Sequence, residues 1–386
     1  PVPGNDLEKR FLGPILDRTF GDYPGFDYMP DLRANKLPPN FTVSEFFLTP
    51  GKFIHNAAAQ QNYISTNYTH AVRDLNGLGV NVLAQMVSEK ELAGKTWYSL
   101  SSNPDLTLDL IALIRERERQ GEKVAIVAQI NNNLPFMYHD AMVDPFEFDM
   151  VVENPAYAFT LPAPPNVPVS TTDHMIGLLS STLIKDGGTL QIGIGSLGDA
   201  IVNGILLRHQ KNAAYKKMLS ELGIERMFGG EIEAMGGTDP FTRGLYGASE
   251  MFISSFLDLY NAGVLKRAVY GDETLQRLIN EGKLTEEISQ NTLSALLDAG
   301  TVQPLLTPAD FNRLQQFGIF KAGLTYEGRE IQVTPDLRIP ADLSESGNFE
   351  RIARHCLGTR LKGGIIMHGG FFLGPRNFYD ALNRMG

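Results

Sequence analysis

Along the chain, short apolar runs that read as buried strands alternate with stretches whose apolar positions recur at helical spacing. Val80–Met86 (V-N-V-L-A-Q-M), Val124–Ile130, Met150–Glu153 and Thr189–Ile194 are predicted strands. Between them, Asn103 and Pro104 open a helix that closes with R-E-R-E-R-Q-G at Gly121. Its charge run reads as a solvated face. A second helix is predicted over Ser170–Lys185, with Met175, Leu178, Leu179 and Leu183 as core stripe and Asp186-Gly187-Gly188 as its stop. Apolar strands separated by helices point to parallel sheets covered on both faces, an α/β fold. Past the polar segment Gln210–Gly223 the alternation resumes, with a strand at 268–272, helices over Glu273–Gly282 and Glu286–Asp298, and a strand over Gly363–Met367.

The first fifty residues, rich in Pro, Gly and aromatics, read as an irregular arm, and Asn154–Pro168 as a proline-rich crossing. The expected division is an arm over 1–50 and two α/β domains over 51–222 and 223–386. Two glycine-rich strand-to-loop units, G-G-T-L-Q-I-G-I-G-S-L-G and L-K-G-G-I-I-M-H-G-G-F-F-L-G, lie one in each half. They suggest related open parallel-sheet domains facing each other.

Composition narrows the chemistry. The 386 residues are 43% hydrophobic and 20% charged, enough for two globular domains. A net charge of −10 argues against nucleic acid as main partner, since phosphate backbones need a basic face. The one cysteine, Cys356, excludes a disulfide framework and fits a reducing cytoplasm. It reads as an ordinary helix position, with a nucleophilic thiol beside His355 as the alternative. No run of about 20 apolar residues calls for a membrane. The seven histidines show no ligand spacing, so no metal is expected, and no G-x-S-x-G elbow supports a serine hydrolase. The start at Pro1 and the stop at Asn383–Gly386 in mid-helical pattern suggest a trimmed chain.

The candidate chemistry centres on R-G-L-Y-G-A-S-E-M-F, where the carboxylate of Glu250 follows a glycine-bearing turn. Met251, Phe252, Ile253, Phe256, Leu257 and Tyr260 are spaced as a largely buried helix ending near Gly263 and Lys266–Arg267. The plain reading makes Glu250 a first-turn acid favoured by the helix dipole, with Ser249 as N-cap. The functional one notes that a charge in an apolar setting is costly unless something uses it. Gly193, Ile194 and Gly195 open G-I-G-S-L-G, which formally satisfies the dinucleotide fingerprint but lacks the following strand ending in Asp or Glu. Asp199 reads as a first-turn helix acid. Asn131 and Asn133, in A-Q-I-N-N-N-L-P, either donate amide hydrogen bonds to a substrate or close an Asx-turn after the strand. Gly369 and Gly370 lie in a predicted backbone-exposing loop after the last strand.

Taken together, G-x-Y-G-A-S-E-M-F, the following F-L-D-L-Y-x-A-G-V-L-K-R, and D-G-x-T-L-Q-x-G-I-G-x-x-x-D-A over Asp186–Ala200 resemble class I coenzyme A transferases and acetyl-CoA hydrolases. A-Q-I-N-N-N-L-P is similar to that family's A-E-V-N-x-N-M-P. The pattern departs at Ser254–Ser255, often Asp-Gly in the family, at Gly198, commonly Pro, and at Gln129, Glu in the family. The family's S-G-x-G-G-Q loop is missing, so either Gly369–Gly370 stands in for it or the enzyme is incomplete, the latter being the expectation. The resemblance implies two open α/β domains with the active site between them, and Glu250 as nucleophile. It implies CoA or acyl-CoA as cosubstrate with no tightly bound cofactor, a small carboxylate as second substrate, and frequently a homodimer. The alternatives are a CoA- or nucleotide-binding protein without turnover and, last, a nicotinamide-dependent oxidoreductase resting on Gly193–Gly198.

Overall fold

The computed structural model describes residues 5–385 apart from 22, 24, 49 and 164–166. The extreme ends and the middle of the proline-rich crossing therefore lie outside the described residues.

The first sheet contains β1 (Val82–Leu92), β2 (Lys95–Ser99), β3 (Ala125–Ile130), β4 (Met142–Val143) and β5 (Met150–Val152), in the order β4-β2-β1-β3-β5. β1, β3 and β5 run parallel, as the strand–helix–strand pattern predicts, whereas β2 and β4 are antiparallel additions. The sheet is thus mixed rather than purely parallel. The cause is local: Ala93 and Gly94, with φ of 52° and 76°, make a two-residue turn whose left-handed backbone matches the twist of a hairpin. The Pro104–Arg119 helix, with Pro at its first position, packs Leu110, Ile111 and Ile114 on this sheet against Val87, Ile126 and Ala128.

Next come β6 (Thr189–Leu190) and β7 (Tyr246–Phe252), then the antiparallel meander β8 (Thr325–Glu327), β9 (Glu330–Thr334) and β10 (Leu337–Pro340), and finally β11 (Met367–Phe372). β6, β7 and β11 form a parallel sheet in the order β11-β7-β6. The 222/223 division does not coincide with a change of sheet, because β6 from one side of it pairs with β7 from the other. Gly223 sits instead in a left-handed turn between two helices. Between β7 and β11, the meander and the helices around it bury a core of their own, from Tyr270 through Phe320 and Ile339 to Leu361.

The arm is not irregular throughout. Asp6–Phe20 is a helix whose N-cap Asn5 accepts from Glu8 N at 2.9 Å, with Asp6 and Glu8 in its first turn. At the other end the Arg376–Leu382 helix places Phe378, Tyr379 and Leu382 against Phe252 and Phe372 of the parallel sheet and against Met137 and Leu161 near the first one. Among the described residues no helix is long and apolar enough to cross a membrane.

Candidate functional site

Glu250 lies in the middle of β7, not at a helix start; the helix begins at Ser254 with Ile253 as N-cap. An apolar run that continues from strand into helix carries no periodicity that marks the change. The strand placement alters the environment of the carboxylate. Residues 246, 248 and 250 share one face, and Glu250 is exposed rather than enclosed in an apolar niche.

Its neighbour on one side is a glycine. Along β11 the register pairs Gly369 with Ser249 and Phe371 with Met251, which puts Gly370 beside Glu250. A Cβ at Gly370 would stand 3.2 Å from the Glu250 carbonyl oxygen. Gly369 and Gly370 are therefore strand residues and not a loop, contrary to the pattern reading, because β11 starts only at Met367. On the other side β6 pairs Thr189 with Tyr246 and Leu190 with Gly247. Ser249 Oγ then donates to Ile192 O at 3.1 Å, so the two chains remain adjacent beyond the ladder, at the residues that precede Glu250 and Gly193.

The turn Gly193–Gly195 leads into the Ser196–Gln210 helix, with Gly195 as N-cap at φ 109°. That conformation favours glycine, and at Gly193 and Gly195 the space a side chain would fill is open. Ile194 is 62% exposed. The turn leads directly into the start of a helix, a setting suited to an anion or a polarised carbonyl. Gly198 is required for a different reason: its missing Cβ would be 2.2 Å from Gly193 O and 2.9 Å from Ile192 Cγ2. Glycine here closes the gap between helix and turn. Asp199 is indeed a first-turn helix acid, and it accepts from Ser255 Oγ, which ties this helix to the one that follows Glu250. Burial, then the charge of Asp199, raises the Asp258 carboxyl above its ordinary range.

Asn131 and Asn133 take the turn role. Asn131 is fully buried, donates to Phe159 O at 2.9 Å, and accepts from both Asn133 N and Asn133 Nδ2 at 3.1 Å. Among the described residues no hydrogen bond joins either side chain to Glu250.

The first sheet's unit reaches the site through Tyr68. Its ring meets Phe371 of β11 edge-on, and its phenol is pushed up to about 12 by burial, by a hydrogen bond to Asp105 and that residue's charge, and by the charge of Glu250. Sequence reasoning gave neither Tyr68 nor Asp105 a role, although Tyr68 lies in N-Y-I-S-T-N-Y-T-H-A, a segment similar to a family strand-loop near the acyl pocket. The Asp105 Oδ1 atom is buried without a hydrogen-bond partner. A separate open cleft of about 690 Å³, lined by Ile111, Arg115, Met142 and Glu147 among others, includes none of the candidate residues. Among the described residues no group of three or more His, Cys, Asp or Glu could hold a metal ion.

No family model matches the chain. Over 108 residues it is 30% identical to the 4-hydroxybutyrate coenzyme A transferase of Clostridium kluyveri, covering 28% of this chain and 24% of that one. Over 210 residues it is 26% identical to the succinyl-CoA:cyclohexane-1-carboxylate CoA transferase of Geobacter metallireducens, covering 53% and 43%. The matched stretch thus spans less than half the length of either relative. Among solved structures, RipA from Yersinia pestis overlaps with 58% of this chain and 43% of its own at a TM-score of 0.40 and 18% identity. A 4-hydroxybutyrate CoA-transferase from Porphyromonas gingivalis overlaps with 56% and 45% at 0.34 and 20% identity. The chain is similar in sequence to coenzyme A transferases, as its motifs predict.

Proposed function

We propose that the protein acts on acyl-CoA thioesters as a coenzyme A transferase or thioester hydrolase, with Glu250 as nucleophile. The observation that carries this reading is the position of Glu250: an exposed carboxylate on the central strand of a parallel sheet, with Gly370 beside it on β11.

In this reading a Glu250 carboxylate oxygen attacks the thioester carbon, and CoA leaves as thiolate from a mixed anhydride. For transfer, the thiolate attacks the Glu250 carbonyl and releases the acyl group as a carboxylate, leaving a glutamyl-CoA thioester. An incoming carboxylate then reverses the sequence and departs as the new acyl-CoA. For hydrolysis, water opens the anhydride. Exchange of carboxylate for carboxylate is close to isoenergetic, so no strong base is needed. The turn at Gly193–Gly195 would supply main-chain donors to the developing oxyanion, each worth about 3–4 kcal/mol where such donors have been removed. A small carboxylate as acceptor, a homodimer and a cytoplasmic location belong to the same proposal.

The test is to incubate the protein with acetyl-CoA, reduce with borohydride and map the modified residue by mass spectrometry, with and without acetate or succinate. Modification at Glu250 that disappears in Glu250→Gln supports the reading. Labelling that survives the substitution refutes it, and CoA binding without any labelling would leave a CoA-binding protein without turnover.

A further inference from the structure

The face of β7 that carries Glu250 also carries Ala248 and, four residues back, Tyr246. On neighbouring β11, His368 pairs with Ala248 and Gly369 with Ser249, so His368 and Gly370 belong to that same face. A hydrogen bond between His368 Nδ1 and the Tyr246 hydroxyl joins the two side chains across it. Strands that rise about 3.3 Å per residue and lie about 4.8 Å apart put the Cα atoms of His368 and Glu250 about 8 Å from each other. Only the methyl of Ala248 and the bare backbone of Gly370 stand between them on this face. Phe372, two residues on along β11 and 6% exposed, closes the far end. The result is a hollow with an exposed histidine on one side and an exposed carboxylate on the other.

A histidine is prepared to act as a base when a partner holds one ring nitrogen and the other is free. Tyr246 holds Nδ1, and among the described residues His368 Nε2 takes part in no hydrogen bond. Tyr246 is itself fixed. The Arg267 guanidinium lies 5.5 Å from its ring centroid, and donates from Nε to Gly188 O at 3.3 Å and from Nη2 to Thr189 Oγ1 at 2.9 Å. Burial raises the pKa of the Tyr246 phenol, so the group stays neutral and its oxygen can accept from Nδ1–H. In that tautomer the lone pair of Nε2 is free. Exchange between carboxylates has no use for a base here, because the incoming acceptor is already an anion. Water is neutral and must lose a proton as it attacks.

We infer that His368, oriented by Tyr246, is the general base that brings water onto the acyl group carried by Glu250, which makes the site a thioester hydrolase. This rests on the assignment of acyl-CoA chemistry to Glu250. Water oxygen bonds to the acyl carbon of the anhydride while its proton passes to His368 Nε2. The bond from that carbon to the Glu250 oxygen breaks, and its electron pair restores the Glu250 carboxylate. The acid formed and the imidazolium each give up a proton; one goes to the CoA thiolate and one to solvent. Acyl-CoA and water thus become a carboxylate, CoA thiol and one proton. Tyr246 is a positioning residue that fixes the tautomer, and Arg267 holds its ring.

The experiment follows CoA thiol release from acetyl-CoA without added carboxylate, and borohydride labelling of Glu250, in the protein and in His368→Ala, His368→Gln and Tyr246→Phe. His368 is exposed, and its removal leaves the core untouched. Both His368 variants should release thiol about a hundredfold more slowly or less, with Glu250 labelling kept, because the first step needs no base. Added imidazole should restore release in His368→Ala and leave the wild type unchanged. Tyr246→Phe, which keeps the ring, should slow release by a smaller factor with labelling again kept. Release unchanged in the His368 variants overturns the inference, as does a fall in release and labelling by the same factor, the mark of a structural role. A wild type that labels at Glu250 and releases no thiol without an acceptor sinks the base and keeps the nucleophile. Release that depends on His368 but continues in Glu250→Gln sinks the nucleophile and keeps the base.

Discussion

Tyr68 and Phe371 meet edge-on with ring centroids 6.0 Å apart, so the unit built on the first sheet touches the strand that flanks Glu250. The contact shapes how the site responds to alkali. Burial, the Asp105 hydrogen bond and charge, and the Glu250 charge hold the Tyr68 phenol at about 12, against about 10 for an unfolded tyrosine. The folded state therefore keeps the proton longer than the unfolded chain. The stability this contributes is complete below about pH 10 and is lost between about pH 10 and 12. Tyr68→Phe keeps the ring and removes the titration, so melting temperatures followed through that window should fall less steeply in the variant. Equal slopes would show that the phenol does not face Asp105 and Glu250.

Gly198 sets the distance between the Ser196–Gln210 helix and the turn beside Glu250. A methyl there cannot fit without moving the Gly193 carbonyl, 2.2 Å away. Gly198→Ala should cost about 1–3 kcal/mol in urea unfolding, the usual range for overpacking, and should reduce Glu250 labelling because the turn is displaced. Gly229→Ala, where nothing lies within 4 Å of the added methyl, is the control and should change neither.

Arg208 is 2% exposed and forms no ion pair among the described residues; it donates to Ser181 O, Ile184 O and Asp239 O and stacks 4.3 Å from the Phe241 ring centroid. Arg208→Met fills much of the volume but leaves three carbonyls without donors. Each buried group so stranded costs about 1–3 kcal/mol, so the urea midpoint should fall by the largest margin of any substitution named here. A small effect would mean that water reaches those carbonyls.

Cys356 is fully buried, and burial pushes its thiol up to about 11. At pH 8 the native protein should react with a thiol-selective disulfide reagent far more slowly than the urea-unfolded chain, which should titrate one thiol at once. Rapid native reaction would reopen the nucleophilic reading beside His355.

Much of the fold was legible because its signals are local. The Pro104–Arg119 helix announced itself by Asn103-Pro104 and its apolar stripe, β3 by its unbroken apolar run, and the Thr171–Thr182 helix by the Ser170 cap, which accepts from Asp173 N at 3.1 Å. The N-terminal helix was obscured by Pro14 within it and by the Pro- and Gly-rich flanks. The β8–β10 meander was missed because its strands are short and its turn rests on Gly328 and Arg329, both left-handed and neither part of a familiar turn pair.

The glycines around residues 193–198 and the acid at 250 are written in the chain itself: local backbone freedom and residue type need no partner to be recognised. Whether Glu250 sits on strand or helix, and that β6 rather than a later strand lies beside it, depends on pairing between distant segments. So does the meeting of Arg243 and Arg267 at the Gly187–Gly188 turn. Hydrogen-bond ladders and like-charge clusters form between positions whose separation in sequence carries no periodic signal, and only the folded chain brings them together.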